Sequence, residues 1–192
     1  MRRQPEAGAP ETSPRPIVPV PVSAAGELRG RRVIVGVPGL GWRADLRADN
    51  PVVRGSRTFV PVIPEHEWYR AELEQVEVFA PLVPAERVWV EGTATGPVDS
   101  GLGGLPRTVS LDAPPRRDPV PITASPVASG HRVVYMADGV EQRDLRAVTE
   151  LHTGDDGGVC VRVAAEADWY RWAWTGQTPR TLAVPAHLTW LE

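Results

Sequence analysis

The side chains best suited to chemistry are sparse in this sequence. Cys160 is the single cysteine of the 192 residues, and the histidines are His66, His131, His152 and His187. A metal centre built from thiolates and imidazoles needs several such ligands at short spacing, and neither His-x-His nor His-Glu-x-x-His occurs. No metal site is expected. A nucleophilic cysteine needs a base beside it in an electropositive setting. Cys160 instead sits in the apolar run Val159-Cys160-Val161 and reads as core filler. The segment Val35–Gly41 has the glycine density of a phosphate loop, but no Lys-Ser/Thr follows and no helix is signalled after it. It reads as a tight turn between strands. No catalytic residue and no cofactor is assigned.

What the sequence does show is an internal duplication. Pro19–Ala24 matches Pro119–Ala124, and the same 100-residue offset aligns Gly30, Arg32, Val33, Gly39 and Arg43 with Gly130, Arg132, Val133, Gly139 and Arg143. Asp45–Ala48 matches Asp144–Ala147. After a variable loop, Val60, Val62, Glu65, Trp68, Tyr69 and Arg70 match Val161, Val163, Glu166, Trp169, Tyr170 and Arg171. Val83-Pro84-Ala85, Trp89 and Glu91 recur as Val184-Pro185-Ala186, Trp190 and Glu192. The order is kept, and rare Trp and Tyr fall in register, which convergent low complexity would not achieve. The modules span residues 16–91 and 116–192. Residues 1–15, rich in Pro, Glu and Ser, read as a disordered tail. Residues 92–115 read as a Gly/Pro-rich linker, with a short strand at Thr108–Leu111.

The elements that must carry these residues read as strands. Ile17–Val22, Arg32–Val37, Trp42–Ala48, Thr58–Ile63, Trp68–Leu73 and Arg87–Glu91 are β-rich, and their counterparts recur in the second module. Pro19 and Pro21 cannot donate to a central ladder, so the first strand belongs at a sheet edge. Glu65–Glu77 is the one segment with a helical case. Its counterpart Trp169–Trp174, aromatic and followed by Thr-Gly, favours a strand instead. The fold class is all-β: two tandem homologous small β-barrel modules.

The segments Glu67–Ala71 and Leu82–Val88 together resemble the closing half of an SH3 domain, as do Asp168–Arg171 and Val184–Thr189. The resemblance covers roughly a third of each module. It implies an SH3-like barrel whose groove for proline-rich ligands pairs Trp68 with Pro84, and Trp169 with Pro185. The family's groove tyrosine is missing, with Arg87 and Leu188 in its place. The opening Ala-Leu-Tyr-Asp-Tyr segment is also missing, apart from Tyr135.

Charges recur as well: Asp45 with Arg47, Asp144 with Arg146, and the repeated Glu65, Arg70 and Glu91. They read as cross-strand ion pairs that fix register, with an Arg-lined recognition face as the alternative. Seven tryptophans are the sharper signal. Trp89 and Trp190 are expected to be buried on the closing strands. Trp172 and Trp174 are two residues apart, so on a strand they line one face. Such a face needs a cover: the first module, the linker, a second copy or a ligand. The candidate binding residues are therefore Trp68, Tyr69, Pro84, Trp169, Tyr170, Trp172, Trp174 and Pro185.

All 21 basic residues are Arg, a composition that reads as codon bias in a GC-rich genome such as an actinobacterium's. The net charge of −3 disfavours a general nucleic-acid binder. No apolar run approaches the ~20 residues of a membrane helix, and no signal peptide is visible. A cytoplasmic protein is the expectation. The function expected is non-enzymatic binding of a protein or peptide, proline-rich sequences included, with homo-oligomers among the candidate assemblies. The alternatives are a small hydrolase or transferase subunit with its site at the module interface, and a nucleic-acid adaptor using Arg with stacked Trp.

Overall fold

The computed structural model describes residues 13–93 and 113–192. Most of the expected tail, most of the expected linker and the strand at Thr108–Leu111 lie outside the described residues.

The first repeat runs β1 (Ile17–Pro21), β2 (Arg32–Val37), β3 (Gly41–Ala48), β4 (Val52–Arg54), β5 (Arg57–Pro64), α1 (Glu65–Glu74), β6 (Leu82–Pro84) and β7 (Val88–Thr93). The second runs β8 (Val120–Pro121), β9 (Arg132–Ala137), β10 (Val140–Ala147), β11 (His152–Thr153), β12 (Val159–Ala165), α2 (Glu166–Thr175), β13 (Leu182–Pro185) and β14 (Thr189–Leu191). Each repeat makes a seven-stranded antiparallel sheet curled into a half-barrel. The strand order is β1-β7-β2-β3-β5-β4 with β6 on β5, and β8-β14-β9-β10-β12-β11 with β13 on β12. The two orders are the same, as a duplication requires, and the chain is all-β with two short α-helices among the described residues. Strands β1 and β8 are terminal in their sheets, where Pro19, Pro21 and Pro121 forfeit no central hydrogen bond.

Alternation sorts the side chains. On β5, Val60 and Val62 are buried while Phe59 and Pro61 are half-buried. With Val33, Val35, Leu46, Val88 and Val90 they form the first core. Ile122, Val133, Ala147, Val161, Val163 and Val184 form the second. Asp45 and Asp144 both have φ 59°, and the β2–β3 and β9–β10 ladders shift register at these points. The shared aspartates are thus bulge residues, a left-handed position that Asp tolerates better than most side chains. The glycine-dense segment is the expected turn: Leu40 N–H donates to the Val37 carbonyl at 3.0 Å, with Gly39 at φ +75°.

The strand expected at Trp68–Leu73, and with it Trp169–Trp174, is overturned. Both segments are helices. Each follows a strand directly and carries acids in its first turn, Glu65 and Glu67 in α1 and Glu166 and Asp168 in α2, where the helix dipole favours negative charge. Arg70 lies 3.7 Å from Glu67 and 3.6 Å from Glu74, helical i,i+3 and i,i+4 pairings. Gln75 (φ 56°) and Gly176 (φ +72°) end the helices in the left-handed conformation typical of C-terminal caps. These end signals outweigh the β-propensity of the aromatics. The helix stands where the SH3 resemblance places a strand.

By compactness the described chain forms two units. One holds residues 16–93, 113–118 and 170–178; the other holds 13–15, 119–169 and 179–192. This division departs from the repeat boundary, because the end of α2 groups with the first repeat.

Candidate functional site

The buried end of α1 is an ion cluster. The Glu65 carboxylate is fully buried; Arg32 Nε donates to its Oε1 at 3.0 Å, and Arg47 Nε lies 3.2 Å away. Tyr170 Oη donates to Glu65 Oε2 at 3.2 Å, inside the same compact unit. Arg47 also donates to the Gly30 carbonyl at 2.8 Å and to the Tyr69 hydroxyl at 2.6 Å, with its guanidinium over the Tyr69 ring. Tyr69 stacks on Tyr170 with ring centroids 5.3 Å apart. In the second repeat Glu166 takes Arg146 Nε at 2.9 Å and Arg132 at 3.6 Å. Arg146 donates to the Gly130 carbonyl at 2.8 Å and covers the Trp169 ring at 4.9 Å. Gly30 and Gly130, both at positive φ, lie beside the Trp68 and Trp169 rings, which stand 3.4 and 3.8 Å from where a Cβ would be. The repeated Arg, Glu, Gly and Trp are therefore one structural device, with the helix start locked onto β2–β3 and β9–β10. The cross-strand pairing expected for Glu65 and Glu166 is in fact helix-to-strand.

The candidate binding residues separate. Trp68 lines a cleft at the end of α1, while Pro84 lines another beside β3. Tyr69 and Tyr170 are brought together, as described. Pro185 is opposite Cys160 in the β12–β13 ladder. Trp172 and Trp174, two positions apart on a helix, point to different sides and share no face; both are half-buried.

Two features escape the sequence reading. The first is an open cleft of about 580 Å³ lined by Pro38, Trp42, Glu86, Arg87 and Trp89. It arises from one exchange between repeats. Trp190 is 6% exposed because Val134 and Met136 pack on it. The Met136 position is Gly36 in the first repeat, and Trp42 occupies the space, 2.9 Å from where a Gly36 Cβ would lie. Trp89 is consequently half-buried rather than buried, a correction to the expectation for it, whereas Trp190 is buried as expected. Arg87, in the groove-tyrosine position of the resemblance, is anchored to the Gly36 carbonyl through Nε at 2.9 Å and through Nη2. Leu40, 84% exposed, projects from the adjoining turn. The differences between the repeats at Gly36/Met136 and Trp42/Glu141 were the available signal.

The second is Cys160. It is half-buried, and its Sγ lies 3.3 Å from His152 Nε2, a base contributed by neighbouring β11. The His152 Nδ1 lies 3.1 Å from the Glu150 carbonyl, which orients the ring. The thiol is thus not simple core filler. In the first repeat Val52 stands opposite Phe59 where His152 stands opposite Cys160, so the repeat comparison concealed the pair.

Among the described residues, no group of three or more His, Cys, Asp or Glu is placed to hold a metal ion. No helix among them is long and apolar enough to cross a membrane. No protein-family model matches the chain, and no match is found among curated proteins or solved structures.

Proposed function

We propose that this chain is a non-enzymatic binding protein that docks a peptide segment of another protein, proline-rich sequences foremost, in the Trp42/Trp89 cleft of its first repeat. The observation that carries this reading is the replacement of the packed Met136–Trp190 contact by an open, Trp-walled cleft with Arg87 and Glu86 on its rim. Tryptophan and arginine dominate the energetics of protein interfaces. Flat aromatic walls suit the preformed polyproline II conformation, which loses little entropy on docking. Exposed Leu40 extends the apolar area beyond the cleft.

Short synthetic proline-rich peptides titrated into the full chain should change tryptophan emission saturably. Trp42→Ala should weaken the tightest peptide by about thirtyfold, the scale of an interface hot spot. Gly36→Met, which rebuilds the packing of the second repeat, should do likewise. Unchanged emission with every peptide, or unchanged affinity in both variants, would count against the reading.

The Cys160–His152 pair favours a second reading, a small acyl-transferring or hydrolytic enzyme. In that reading His152 Nε2 accepts the thiol proton as Sγ attacks an acyl carbon, and the leaving group departs. p-Nitrophenyl acetate should then acetylate Cys160, detected by peptide mass spectrometry, and His152→Ala should slow the reaction by about a hundredfold. Equal rates with and without His152 would remove this reading.

A further inference from the structure

The turn that borders the Trp42/Trp89 cleft differs in length between the repeats. In the second repeat Ala137 pairs with Val140, so two residues, Asp138 and Gly139, close the hairpin. In the first, Val37 pairs with Gly41, and three residues, Pro38, Gly39 and Leu40, close it. Gly39 and Gly139 share the left-handed conformation, at φ +75° and +76°. The added residue is therefore Leu40. Beyond it Trp42 stands opposite Gly36, where Glu141 stands opposite Met136.

The turn fixes where Leu40 sits. Proline then glycine at its centre is the pairing a type II turn favours, and Leu40 N–H closes it on the Val37 carbonyl at 3.0 Å. Gly41, at φ +83°, carries the chain back into β3. Pro38, Gly39 and Gly41 line the cleft, so Leu40 stands on its lip. Leu40 is nevertheless 84% exposed. The second repeat closes the same hairpin without such a residue, so the shared fold does not require it. A leucine fixed in water beside an aromatic cleft gains free energy only when a partner covers it.

We propose that Leu40 is the specificity contact of this cleft and selects partner segments carrying a bulky aliphatic residue at one end of their proline-rich stretch. The prolines lie along Trp42 and Trp89, and the aliphatic side chain closes against Leu40 at the lip. A polar side chain at that place loses water and gains no hydrogen bond, so it is disfavoured. Because the turn is set before binding, little ordering cost falls on this contact. The inference deepens the peptide reading and rests on it.

The test uses the full chain and three fluorescein-labelled peptides followed by anisotropy. One is octaproline with a serine at each end; in the other two, leucine replaces the first or the last serine. One leucine peptide should bind about tenfold tighter than the serine peptide, the low end of what burying a leucine side chain yields. Leu40→Ser, an exposed substitution that leaves the core untouched, should abolish that preference without changing the serine peptide's affinity. A general loss of stability would not produce such a coupling. Trp42→Ala should weaken all three peptides alike. Equal affinities for leucine and serine peptides, or a preference that survives Leu40→Ser, would overturn the role of Leu40 and leave the cleft reading standing. Failure of all three peptides to bind would overturn both.

Discussion

Glu65→Ala should cost about 3–5 kcal/mol of unfolding free energy, because removing one partner of a buried ion cluster leaves the others uncompensated. The carboxylate is fully buried, and Arg32 and Arg47 are each 11% exposed. Without it, two guanidinium groups lose their counter-charge, and the Tyr170 hydroxyl loses its acceptor. The net worth of the intact cluster is a different quantity, since desolvation offsets much of the attraction between such charges. Glu72→Ala is the control. Glu72 faces Arg29 at 3.5 Å with both side chains about half exposed, so its removal should change stability by less than about 1 kcal/mol. Chemical denaturation of the full chain measures both. Equal midpoints for Glu65→Ala and Glu72→Ala would mean that the buried cluster is not what anchors α1 to the sheet. The same loss is expected for Glu166→Ala, whose carboxylate meets Arg132 and Arg146 in the second repeat.

This cluster also shows which parts of the molecule were legible in the sequence. The repeat placed Arg32, Arg47, Glu65, Gly30 and Trp68 in register with their partners, and that coincidence correctly signalled a shared structural device. Its geometry was hidden because Glu65 begins a helix. The decisive signals there are local and weak, namely acids in a first turn, i,i+3 and i,i+4 charges, and a left-handed cap at Gln75. The aromatic run Trp169–Trp174, with Trp172 and Trp174 two apart, spoke for a strand with a louder but misleading signal. Strand positions were legible wherever valines alternate, as in β2 and β5, since burial on one face enforces the pattern. The short β4 and β6 carry too few residues to show a period at all.

The candidate sites were harder to read for a related reason. Comparing repeats identifies what both modules need and discounts what only one has. Trp42, Gly36 and His152 belong to one repeat each, so a search for shared residues passes over them. Their significance comes from neighbours across the sheet: Gly36 pairs with Trp42 in the β2–β3 ladder, and His152 pairs with Cys160 in the β11–β12 ladder. Those pairings depend on register and bulges, and the bulges at Asp45 and Asp144 leave little trace in hydrophobic pattern.

Trp190→Ala should cost about 3–5 kcal/mol, the range for emptying a large aromatic from a core, whereas Trp89→Ala should cost clearly less. The two residues are equivalent in sequence and in register: Trp89 lies opposite Pro21 and Ile34, and Trp190 opposite Pro121 and Val134. They differ in what covers the ring. Trp190 is 6% exposed and clusters with Val134 and Met136, so truncation leaves a cavity that a β-sheet cannot readily collapse. Trp89 borders an open cleft, where water already reaches part of the ring and fills whatever truncation vacates. The cavity contribution that dominates the Trp190 cost is therefore largely absent at Trp89. Domains of ordinary stability hold about 5–15 kcal/mol in total, so Trp190→Ala should visibly lower the melting temperature or prevent folding. If that variant cannot be obtained folded, Trp190→Phe keeps most of the ring volume and should still lower the midpoint more than Trp89→Phe. Equal losses at the two positions would show that Trp89 is core despite its exposure, and the aromatic cleft of the first repeat would lose its standing as a surface kept open for a partner.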